Sequence, residues 1–146
     1  MNIVNNIENS FYPEIYSQSL PLNTDLRLCL LKKTRLAKYI LAVRDFDSDL
    51  DIKTQIANVR KLVQQQTSAM WLFNEIGAYI VFVCDELPDL EQSQLKIDLT
   101  GFHAVIVQGV HLVSKSGAHL FYHSKWLNIS FGGTESIASR LVNSAI

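Results

Sequence analysis

From Ile52 the apolar residues Ile56, Val59 and Val63, then Met70 and Phe73, recur at steps of three and four, the period of one helix face. The spacing predicts a helix that begins at Ile52 and stops at Gly77. A break near Gln66-Thr67-Ser68 is expected, because one uninterrupted run of this length exceeds most globular helices. On both sides of the helix the pattern changes from spaced to continuous. Residues 25–31 and 37–44 are apolar segments separated by Lys32-Lys33-Thr34-Arg35, which predicts two strands joined by a basic turn. Ala78 to Cys84 has the short, β-branched and aromatic composition of a strand buried on both faces. Strand, helix, strand is a βαβ unit, so residues 39–44 and 78–84 should lie parallel in one sheet with their carboxyl ends together.

Downstream, Leu87 to Thr100 reads as a loop with one helical turn, and residues 102–113 and 118–121, continuing toward Ile129, read as a hairpin around Ser114-Lys115-Ser116-Gly117. Gly132-Gly133 and a short amphipathic helix marked by Ile137, Leu141 and Val142 close the chain. Residues 1–24, rich in Asn and Ser and holding Phe11-Tyr12-Pro13-Glu14-Ile15-Tyr16, read as an N-terminal arm with a short helix. Residues 25–146 then form a single mixed domain. The expected architecture is α/β, with α+β as the alternative, in the order β-β-α-β-loop-β-β-α.

Composition narrows the function classes. At 146 residues and 48% hydrophobic the chain is long enough for one core without disulfides or metal as staples. With 13 Lys plus Arg against 14 Asp plus Glu, a net charge of -1 supplies no general field for nucleic acid or an anionic membrane. The longest apolar stretch, Ile76 to Cys84, is about half the ~20 residues that cross a bilayer. The first ten residues have neither the positive charge nor the apolar run of a signal peptide, so a cytoplasmic location is expected. Cys29 and Cys84 sit far apart among apolar neighbours and read as reduced core residues.

Two groups of residues carry candidate chemistry. Both parallel strands run into acids, Asp45 and Asp47 after the first and Asp85 and Glu86 after the second, at the strand ends where open α/β sheets bind ligands. Such carboxylates suit Mg²⁺ or Mn²⁺, with Asp45 and Asp85 as the catalytic candidates of a small hydrolase or nuclease. Asp45-Phe46-Asp47 is similar to the aspartate pair of haloacid-dehalogenase phosphatases, which also follows an apolar strand. That similarity covers only these residues, and the downstream Thr, Lys and Asp of the family are unmatched. The competing explanation is structural: Asp47, Ser48, Asp49 and Asp51 stand where a helix begins, and acids there cap free N–H groups.

The second group is His103, His111, His119 and His123, all within 21 residues. A three-residue loop ending in a left-handed Gly117 would pair Val113 with His119, His111 with Phe121 and Gly109 with His123. All four histidines then share one face, with His111 diagonal to both His119 and His123, whereas a two-residue loop would separate His111 from the other two. Val105, Val107, Phe121 and Lys125 are expected on that face too, opposite a core face of Ile106, Val110, Leu112, Leu120, Tyr122 and Trp126. Grouped neutral imidazoles suit Zn²⁺, Ni²⁺, Fe or haem, or general-base work, although no Cys or carboxylate lies in the hairpin to complete a set.

Weaker signals are the basic cluster Lys32, Lys33, Arg35 and Lys38, and Thr134 after two glycines, each accounted for by a charged turn or an N-cap. The Rossmann, Walker, serine-hydrolase, CxxC and HExxH signatures do not occur. The resulting expectation is a non-catalytic binding module, inhibitory, immunity-like or an assembly subunit, acting through a protein partner or as a homo-oligomer. The alternative is the metal-dependent hydrolase using Asp45, Asp47, Asp85 and Glu86 with a histidine as base.

Overall fold

A computed structural model describes residues 2–22, 24–34, 38–67, 76–96 and 105–123, together with Ile137, Arg140 and Leu141. His103, Met70, Phe73, Lys125, Trp126, Ile129 and Gly132-Gly133-Thr134 lie outside the described residues. In chain order the elements are helix α1 (Ile3–Phe11), strands β1 (Gln18–Ser19), β2 (Leu28–Lys33) and β3 (Lys38–Asp45), helix α2 (Ile52–Gln66), and strands β4 (Ile76–Cys84), β5 (Val105–Ser114) and β6 (His119–His123). A 3₁₀ turn at Gln92–Leu95 lies between β4 and β5. The strands form one mixed sheet in their sequence order. β3, β4 and β5 are parallel, while β1–β2, β2–β3 and β5–β6 are antiparallel. The domain is therefore α/β, with the expected parallel β3–α2–β4 unit, and β5 extends the parallel block by one strand.

Two crossovers of the same hand that step in the same direction along a sheet fall on the same face. Accordingly Ile52, Ile56, Val59 and Val63 of α2 and Leu95 of the 3₁₀ turn share one core cluster with Ile76, Ala78, Ile80 and Phe82 of β4. The alternate residues Val81 and Val83 point the other way, into a second cluster with Ile3, Val4, Ile7 and Phe11 of α1 and with Ile137 and Leu141. β4 is apolar without interruption because both of its faces are covered. The segment expected as an arm thus carries a helix whose apolar stripe is buried. Asn2 starts it by accepting a hydrogen bond from the Val4 N–H at 3.0 Å, and Phe11 meets Tyr16 edge-on at 6.0 Å.

Two expectations are corrected. α2 ends at Gln66, where the buried Thr67 hydroxyl donates to the Val63 carbonyl at 2.7 Å; Gly77 is no helix stop but the second residue of β4. Its missing side chain serves packing: a Cβ there would come within 2.7 Å of the Gln108 side chain. The second correction is the facing of Val105 and Val107. Val107 opposes Ala78 and Gly109 opposes Tyr79, so Gln108 is an extra residue, and this bulge reverses the alternation of β5. Val105 and Val107 consequently join Val110 and Leu112 in the core under α2 rather than the histidine face.

Candidate functional site

The carboxyl ends of the parallel strands open into a cleft of about 500 Å³ lined by Asn2, Ile3, Arg27, Asp45, Phe46, Val83, Asp85 and Lys115. Backbone pairing explains its charges. β2 runs antiparallel to β3, and the Arg27 N–H donates to the Val43 carbonyl at 2.7 Å, which sets the residue before β2 beside the last residue of β3. Arg27 Nη1 then donates to both carboxylate oxygens of Asp45 at 2.8 and 2.7 Å. In the same way the Lys115 N–H donates to the Cys84 carbonyl at 3.0 Å, which brings Lys115 Nζ to 2.7 Å from Asp85. The hydrogen bond and the charge of Asp85 raise the Lys115 pKa, with smaller opposed contributions from Asp45 (raising) and Arg27 (lowering), and the two pairs line one cleft as a quartet of alternating sign. The structure brings Asp45 and Asp85 to one cleft, as the strand ends implied, and places a cation beside each. Glu86 is exposed next in the chain and is not part of the lining.

Asp47, Asp49 and Asp51 belong to the loop that starts α2. Asp47 accepts from the Asp49 N–H at 2.9 Å, and Asp51 caps the helix by accepting from the Thr54 N–H at 2.6 Å, which lowers the Asp51 pKa. A residue the sequence reading passed over holds this loop. Gln55 is buried in α2, and its amide nitrogen donates to the carbonyls of Asp47 at 2.7 Å and Leu50 at 2.9 Å, while its amide oxygen accepts from the Asp47 N–H at 2.8 Å. Three backbone groups are thereby satisfied from inside. The fixed loop displays Leu50, 42% exposed, between Asp49 and Asp51. Its only sequence signal is a polar residue on an apolar helix face.

The hairpin register agrees with the reading of Ser114-Lys115-Ser116-Gly117: Val113 pairs with His119, His111 with Phe121 and Gly109 with His123, and Gly117 has φ 96°. His111 Nδ1 lies 3.0 Å from His119 Nε2, and His111 Nε2 lies 2.6 Å from His123 Nε2. A neutral imidazole has one N–H and one lone pair, so buried His111 donates to one neighbour and accepts from the other. Phe121 stacks on His111 at 5.5 Å. His123 fits because Gly109 has no side chain; a Cβ there would come within 2.7 Å of its ring and 3.0 Å of Tyr79. Burial and the neighbouring imidazoles push the His111 pKa well below 6.5, burial lowers that of His119, and His123 falls to about 4, so the array is uncharged at neutral pH.

The separations between these nitrogens are hydrogen-bond lengths, and His111 turns a different nitrogen to each neighbour. Among the described residues no three His, Cys, Asp or Glu side chains are grouped so as to hold a metal ion. No histidine is among the described residues lining the strand-end cleft. Burial raises the Cys29 pKa to about 12, and burial with the nearby Asp85 raises that of Cys84 to about 11, so both stay protonated thiols at neutral pH. No helix among the described residues is long and apolar enough to cross a membrane. Comparison of the chain with protein-family models, curated proteins and solved structures finds no match in any of the three.

Proposed function

We propose that the chain is a cytoplasmic, non-catalytic binding module that acts through a protein partner, with the loop from β3 to α2 as its recognition element. The observation that carries this reading is the loop's construction. Gln55 holds its backbone from within, and it presents one exposed leucine among Asp47, Asp49 and Asp51. An apolar residue in a polar surround is the core-and-rim pattern of a protein interface, and a loop already ordered before contact loses less entropy on binding. The partner's matching chemistry is an apolar pocket rimmed by Lys or Arg.

The test is affinity purification of the tagged protein from its own host, compared with Leu50→Asp and Gln55→Leu, over a salt series. The expected result is a stoichiometric basic partner that weakens with salt and is lost from Leu50→Asp. Gln55→Leu leaves three loop groups without their buried partner and should cost about 1–3 kcal/mol in stability as well as retention of the partner. Equal recovery of the same proteins with wild type and Leu50→Asp contradicts the proposal.

A further inference from the structure

The strand-end cleft has a composition that the partner reading does not use. Arg27 engages Asp45 through Nη1 alone, which leaves its Nε and Nη2 donors without a partner among the described residues. Lys115 Nζ lies 2.7 Å from Asp85 Oδ1, and the Asp85 side chain is 86% exposed, so its carboxylate is open to an incoming cation. Between these groups lie the apolar side chains of Ile3, Phe46 and Val83. The volume of about 500 Å³ is within the ~300–1,000 Å³ usual for small-molecule sites.

We infer that this cleft binds a small zwitterion with an apolar side chain: a free α-amino acid or a short peptide. The carboxylate goes to the unengaged guanidinium donors of Arg27, reinforced by Lys115. The ammonium goes to Asp85, and the side chain lies on Ile3, Phe46 and Val83. Two properties of the quartet select this class. Its charges cancel, so a simple anion or cation meets as much repulsion as attraction, whereas a ligand carrying both signs matches the alternation. The existing pairs are solvent-exposed and hold little net energy, so a ligand rearranges them at small cost. Leu50 and Gln55 are not among the lining residues, although Phe46 begins the same loop, so binding of the zwitterion by the protein alone is read separately from recovery of the protein partner.

The test is a titration of the ¹⁵N-labelled protein followed by its amide shifts, using L-leucine, glycyl-leucine, N-acetyl-leucine amide, sodium acetate and methylammonium chloride. Saturable shifts centred on residues 3, 27, 46, 83, 85 and 115 are expected with a zwitterion, about tenfold weaker or absent with the three controls. Tighter binding of leucine assigns the free amino acid, and tighter binding of glycyl-leucine the short peptide. Arg27→Gln and, separately, Asp85→Asn each alter an exposed side chain and should each weaken binding about tenfold. Acetate or methylammonium shifting the same amides as strongly as leucine, no saturable shift with either zwitterion, or unchanged binding in both variants overturns it.

Discussion

Acidification from pH 7 to pH 4 should destabilise the protein steeply, through the histidine array. In the unfolded chain each imidazole titrates near 6.5. In the fold His111, His119 and His123 all titrate lower, His123 at about 4, because burial penalises the charged ring. Between those values the unfolded state binds more protons, so stability is complete above about pH 6.5 and drains away as the pH falls toward 4. His123, partly open to solvent, accounts for about 1–2 kcal/mol of this after screening. Asp51, whose pKa is lowered, acts in a separate window below the ordinary carboxylate range. Urea midpoints measured at pH 7, 6, 5 and 4 should fall with an uptake of roughly two to three protons on unfolding. His111→Leu should reduce that uptake by about one. A midpoint that ignores pH, or a slope unaffected by His111→Leu, contradicts the uncharged array.

The largest loss from a single substitution is expected at Phe82. It is fully buried near the carboxyl end of β4, in the core cluster shared with α2, and meets Phe46 edge-on at 6.3 Å. Truncation to Ala removes a ring from a covered sheet face that cannot collapse to fill the space, at a cost of about 3–5 kcal/mol. Because Phe46 is also a wall of the cleft, the loss should broaden the amide signals of residues 45–47 and 83–85. Urea unfolding of Phe82→Ala beside the milder Phe82→Leu measures the first effect. A cost under about 1 kcal/mol for Phe82→Ala would show that the ring is not packed as described.

What could be read in advance was local. The βαβ unit followed from a helical period between two apolar runs, and the hairpin register followed from one Gly in a four-residue turn. With a three-residue loop these features set His111 against His119 and His123, as the structure has them. What could not be read depended on neighbours distant in sequence. Arg27 and Lys115 neutralise Asp45 and Asp85 only because β2 and β5 flank the parallel pair, and strand order is not written in any one segment. The bulge at Gln108 inverts half of β5, and its only trace was a Gln between two apolar runs beside Gly109. The apolar positions of α1 were visible at Ile3, Val4, Ile7 and Phe11, but the surrounding Asn and Ser residues disguised them as a tail. Gln55 shows the opposite case: its place on a buried helix face was legible, and the loop it secures was not.

The most direct test of a recognition role is photo-crosslinking in the native host, with a photoreactive residue at position 50 and, as a control, at the equally exposed position 22. One discrete crosslinked protein is expected from position 50, none from position 22, with loss of the product when Asp49 is also replaced by Lys. Equal, diffuse labelling from both positions, or a product indifferent to Asp49→Lys, would contradict it.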